Sequence, residues 1–83
     1  MTYYEIKSND NGFTDTLDTF KDFKSAFQFL KDCLTSYIDS FDYSINNTFS
    51  VSWINDNKGF TITEKDSFGD TWDYSVFIET FTE

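Results

Sequence analysis

In the segment EKDSFGDTWDYSVFIE, residues 64–79, the carboxylates Asp66, Asp70 and Asp73 are interleaved with Phe68, Trp72 and Tyr74. Acids beside aromatic rings suit three kinds of chemistry: ligation of a hard cation, acid–base work by a carboxyl pair, or a surface that a basic partner grips. The spacing argues against the first. A calcium loop sets its acids at alternate positions before a glycine and closes on a distal glutamate. Here three Asp span eight residues irregularly around Gly69. Asp10 and Asn11 before Gly12 read as ordinary turn chemistry. A zinc site needs His or Cys, and the chain has no histidine and one cysteine. No metal or other cofactor is expected.

Catalysis fares no better. A carboxyl pair of the glycosidase type needs a cleft between the two acids, and an 83-residue domain has little room for one. Cys33 has no histidine to activate it. Its place on a helix flank near Ala26 and Leu30 makes it a structural thiol. No catalytic residue is assigned, and the chain is read as a non-enzyme.

The third chemistry is favoured by the charge. Fifteen Asp and Glu face six Lys and no Arg, giving a net charge of −9. That imbalance costs folding free energy through self-repulsion, and it also steers basic partners at high rate. It excludes direct nucleic-acid binding, because phosphate contacts need cations. The inverse remains: carboxylates laid out as phosphates are can occupy a nucleic-acid-binding groove. The candidate acids are Asp32, Asp39, Asp56, Glu64, Asp66, Asp70, Asp73 and Glu79. Eleven of the fifteen acids are Asp, whose short side chain holds a charge pattern with little entropy to lose.

These residues need a scaffold, and 22% aromatic content lets few positions bury much apolar area. The length bounds the chain to one domain over residues 1–83. Alternation over 2–8 predicts a strand with Tyr4 and Ile6 inward, and NDNG at 9–12 predicts a turn. Residues 13–19 form a returning strand in which Asp15 shares a face with Phe13 and Leu17. That conflict predicts an edge, a bulge or a loose loop. Residues 22–40 predict the one long helix, with Phe23, Phe27, Leu30, Leu34, Tyr37, Ile38 and Phe41 as its apolar stripe and Thr19 or Asp22 as its N-cap. Asp32 and Asp39 fall nearly opposite that stripe, about 10 Å apart.

Phe49, Val51 and Trp53 alternate inward along 48–55. DNKG at 56–59 turns the chain into a strand over 60–66, and SFGD turns it again into 71–81. In that last strand Trp72, Tyr74, Val76 and Ile78 share one face, while Asp73, Ser75, Phe77, Glu79 and Phe81 share the other. The order is ββαβββ, or βαβββ if the second strand fails: an α+β two-layer domain with the helix on an antiparallel sheet. This layout leaves Phe29, Phe68, Phe77 and Phe81 off the core, as candidate apolar anchors for a partner or a second copy.

The size, the acid excess, the lack of Arg and His and the one-helix-on-sheet layout resemble the small acidic proteins that phages encode against host defences: anti-CRISPR proteins, antirestriction proteins and uracil-DNA-glycosylase inhibitors. The resemblance is one of type, with no shared motif and no residue roles to carry over. It implies a phage-encoded inhibitor acting in the host cytoplasm on a nuclease, a CRISPR effector or another DNA-binding protein. An immunity protein or antitoxin against a nuclease toxin would use the same physics. An oligomeric assembly adaptor, or a homodimer, would use the phenylalanines instead. The single cysteine fits a reducing compartment. No apolar run approaches the roughly 20 residues of a membrane span, and the N-terminus carries no signal-peptide pattern.

Overall fold

A computed structural model describes residues 1–42 and 46–83. The elements run β1 (Thr2–Asp10), β2 (Phe13–Phe20), α1 (Phe23–Ser40), β3 (Thr48–Ile54), β4 (Gly59–Lys65) and β5 (Thr71–Thr82). The chain is thus the α+β domain its patterning predicts, and the second strand does form. All five strands pair antiparallel in the order β2-β1-β5-β4-β3. The first strand sits inside the sheet, paired with the last, a placement that alternation alone does not specify.

The conflict at Asp15 is resolved by a bulge in an edge strand. Ile6 pairs with Asp18 and Lys7 with Thr16, so Leu17 is the extra residue on β2. A bulge switches the facing of the residues beyond it. Asp15 pairs with Ser8 and Phe13 with Asp10, and both lie in the open.

The helix is capped by Asp22, whose Oδ1 accepts the Ser25 N–H at 2.9 Å. That bond to the charged form holds the Asp22 carboxyl below its ordinary pKa. Most of the expected helix stripe faces the sheet: Leu30 is fully buried, and Phe27, Leu34 and Tyr37 pack on the core, while Phe23 and Ile38 are exposed. The buried face is wider on one side than expected, taking in Ala26, Phe29 and Cys33. Ala26 is the reason: its small side chain lets the helix axis approach the sheet there. Phe29, expected off the core, therefore turns inward and packs on Phe20 with ring centroids 5.5 Å apart. The core is Ile6, Ala26, Leu30, Phe60, Ile62, Val76 and Ile78.

The second face of the sheet carries no helix. Phe81 stacks on Tyr3 at 5.1 Å, and Lys7 bridges Glu79 at 2.8 Å and Glu5 at 3.6 Å. The hydrogen bond to Glu79 raises the Lys7 pKa above its ordinary value. Gly59 faces Phe77 across the β4–β5 ladder, where a Cβ on residue 59 would lie 2.7 Å from the Phe77 Cβ. Only glycine admits that approach.

Candidate functional site: an acidic, aromatic end

The strand registers sort the charges by height along the sheet. Helix α1 starts where Phe23 meets Tyr4, near the beginning of β1, and ends beside Trp72, near the beginning of β5. The β1–β2 turn, the β4–β5 loop and the C-terminal half of α1 therefore share one end of the molecule. That end holds Asp10, Asp32, Asp39, Glu64, Asp66, Asp70 and Asp73, with Lys65 at the end of β4 and Lys31 next to Asp32 on the helix. Lys21 and Lys24 lie toward the other end, Lys7 and Lys58 lie midway, and Lys31 covers the Phe27 ring at 5.2 Å. Among the described residues, none of these seven carboxylates has a lysine within ion-pair distance. The molecule is elongated, with extents of 48 × 24 × 20 Å, so the polarity is well separated in space.

Neutral hydrogen bonds hold several of these acids in place without cancelling their charge. Asp66 organises the β4–β5 loop: its Oδ1 accepts the Phe68 and Asp70 N–H groups, each at 2.9 Å, and its own N–H donates to the Asp70 carbonyl at 3.0 Å. Gly69, at φ +91°, lets the loop close. The loop thereby presents Phe68, 89% exposed, with Asp70 two residues on. Asp73 accepts the Thr63 hydroxyl at 2.8 Å, and Asp32 accepts Gln28 Nε2 at 2.9 Å.

Glu64 accepts the Tyr37 hydroxyl at 2.9 Å. Burial, with that carboxylate beside it, pushes the Tyr37 pKa up to about 12.

Between the end of α1 and the sheet runs an open groove of about 630 Å³. Asp10, Trp72 and Tyr74 line the sheet side; Phe29, Asp32, Cys33, Ser36, Tyr37 and Ser40 line the helix side. Phe13, 78% exposed, pairs with Asp10 at its margin, and Trp72 is 39% exposed within it. Burial raises the pKa of the Cys33 thiol, with Asp32 adding to the effect, and raises that of the Tyr74 phenol. Both groups are neutral at pH 7, so the groove holds no thiolate nucleophile. Its charge comes from two carboxylates set over aromatic surface, an arrangement that receives cationic side chains.

Six of the eight acids singled out from sequence, Asp32, Asp39, Glu64, Asp66, Asp70 and Asp73, meet at this end. Asp56 and Glu79 do not. Asp56 sits in the β3–β4 turn, and Glu79 lies about 20 Å down β5 from Asp73 at the strand rise of about 3.4 Å, bound to Lys7. Asp32 is exposed, as expected, and also borders the groove.

Of the four phenylalanines, Phe68 stands at the acidic end. Phe29 is in the core margin, and Phe77 and Phe81 lie half-buried on the helix-free face of the sheet. Asp10, Phe13 and Trp72 belong to the site and were not singled out. Asp10 reads as a turn residue and Trp72 as core; an aromatic directly after NDNG, on a strand already in conflict at Asp15, is the one signal that pointed there. No group of acids and thiols suited to a metal occurs among the described residues. No helix there is long and apolar enough to cross a membrane. Comparison with protein-family models, curated proteins and solved structures found no match to this chain.

Proposed function

We propose that this chain is a non-enzymatic, phage-encoded inhibitor that occupies the basic nucleic-acid-binding surface of a host nuclease, CRISPR effector or similar defence protein. The observation that carries the reading is the polarity: seven carboxylates against two lysines, Lys31 and Lys65, toward one end of a molecule 48 Å long. Solubility alone would be served as well by acids spread over the surface. Duplex DNA bears one charge per roughly 1.7 Å of axis, so seven carboxylates stand for about 12 Å of duplex. The partner cleft is accordingly a short one, entered end-on. The acids steer the encounter, Phe68, Phe13 and Trp72 supply apolar contact, and the groove beside Asp10 and Asp32 receives a basic side chain of the partner.

The test is capture from a host lysate at low salt, followed by challenge of the captured complex with excess duplex DNA and, separately, with sodium chloride. The expected result is a nucleic-acid-binding protein released by both. A captured protein that ignores duplex DNA, or affinity that is flat from low to high salt, overturns the reading.

A further inference from the structure

We infer that β3 is a pairing edge that joins two copies of this chain, strand to antiparallel strand, into one continuous sheet. The two outer strands of the sheet are built differently. The β2 edge carries Asp15 and Asp18 and a bulge at Leu17, the devices by which proteins block edge-to-edge association. The β3 edge has none of them. Its sequence, TFSVSWI, has no charge, no proline and no register shift against β4, and among the described residues it is the only strand without a charged residue. It presents roughly 24 Å of ladder at the usual rise.

The side chains of β3 fit their own antiparallel image. With a two-fold axis at Val51, Phe49 of one copy lies opposite Trp53 of the other, Val51 opposite Val51, and Ser50 opposite Ser52. Trp53 is 44% exposed in the single chain, on a strand that has no further strand beyond it among the described residues. Pairing would give it an aromatic cross-strand neighbour, a favoured combination. The match of the strand to its own image selects the occupant, and charge bears only on the direction. No acid is brought opposite an acid along the strand, and the antiparallel sense sets the acidic end of one copy beside the β3–β4 turn of the other, where Lys58 offsets Asp56. A parallel arrangement would instead align the two acidic ends. The acidic ends then point in opposite directions, each open to a partner.

Sedimentation of the full chain across micromolar to millimolar concentration tests this directly. The expected mass is twice 9.8 kDa. The association should tighten with added salt, because two bodies of charge −9 repel. That response is opposite in sign to the one expected for the basic target, so the two readings fail separately. Ser50→Lys with Ser52→Lys places like charges across the two-fold on an exposed face and should return the mass to 9.8 kDa. Thr14→Lys with Thr16→Lys makes the same change of charge on the β2 edge and should leave the dimer intact. A monomer at every concentration overturns the inference whatever the variants do. A dimer that survives the β3 lysines, or is lost with the β2 pair, overturns the assignment to β3.

Discussion

Moving the same charge to different ends of the molecule separates a functional field from a merely soluble surface. Asp39→Lys with Asp70→Lys alters the acidic end. Asp18→Lys with Glu83→Lys alters exposed positions nearer the other end. Either pair takes the net charge from −9 to −5, since each reversal removes one negative charge and adds one positive. For a partner charge about 7 Å from each site, Coulomb attraction in water is about 0.6 kcal/mol. Screening with a Debye length of about 8 Å at physiological salt reduces it to roughly 0.25 kcal/mol. Reversal doubles the effect, so two reversals at the acidic end cost about 1 kcal/mol, or roughly fivefold in association rate. At a Debye length of about 30 Å the same pair costs about 2 kcal/mol, or roughly 30-fold.

The other pair lies about 27–44 Å down β5 from Asp70 by strand rise, several Debye lengths away at physiological salt, and should change the rate there by well under twofold. The assay is stopped-flow association with the captured partner, with a labelled oligo-lysine peptide as a defined basic probe. Equal slowing by the two pairs at physiological salt would show that net charge alone matters, and would refute the argument from polarity.

The remaining predictions concern the scaffold and the groove. Gly59→Ala forces a Cβ to 2.7 Å from the Phe77 Cβ and 2.9 Å from the Val76 carbonyl oxygen; the overpacking should cost about 1–3 kcal/mol in urea denaturation at an unchanged slope. Tyr37 has its pKa raised from 10.0 to about 12 in the folded chain, so its contribution to stability is fully present below pH 10 and is lost as pH rises toward 12; melting temperature against pH should fall less steeply across that window in Tyr37→Phe. Cys33, held protonated by burial, should react with maleimide at pH 7 well below the rate of the unfolded chain. Because it lines the groove, the labelled protein should bind the captured partner at least tenfold more weakly while keeping its circular dichroism.

The elements are legible in the sequence because their signals are local. Alternation marks every strand, and NDNG, DNKG and SFGD mark the turns. Even the misfit of Asp15 announces the bulge at Leu17. The helix stripe is less legible, because seven aromatic or aliphatic residues at helical spacing mask Ala26, whose smallness lets the helix approach closely enough to bring Phe29 into the core margin.

The site itself depends on what periodicity does not carry. Asp10 meets Trp72 and Tyr74 only because β1 inserts between β2 and β5. Glu79 leaves the acidic set only because the register brings it to Lys7. Charge count is a property of composition; charge polarity is a property of strand order.

That strand order has a kinetic side. The two middle rungs of the scaffold, β1 and β5, come from opposite ends of the chain, and the Met1 ammonium reaches the Glu83 carbonyl at 2.7 Å. Each flanking hairpin is local and quick to form, but the seam between them closes over about seventy intervening residues, the slow kind of encounter. A ribosome-bound chain lacking its last strand would hold two unjoined ribbons and a helix with half its bed missing. Folding should therefore be all-or-none and should wait on β5, and cleavage ahead of β5 should abolish the structure rather than trim it.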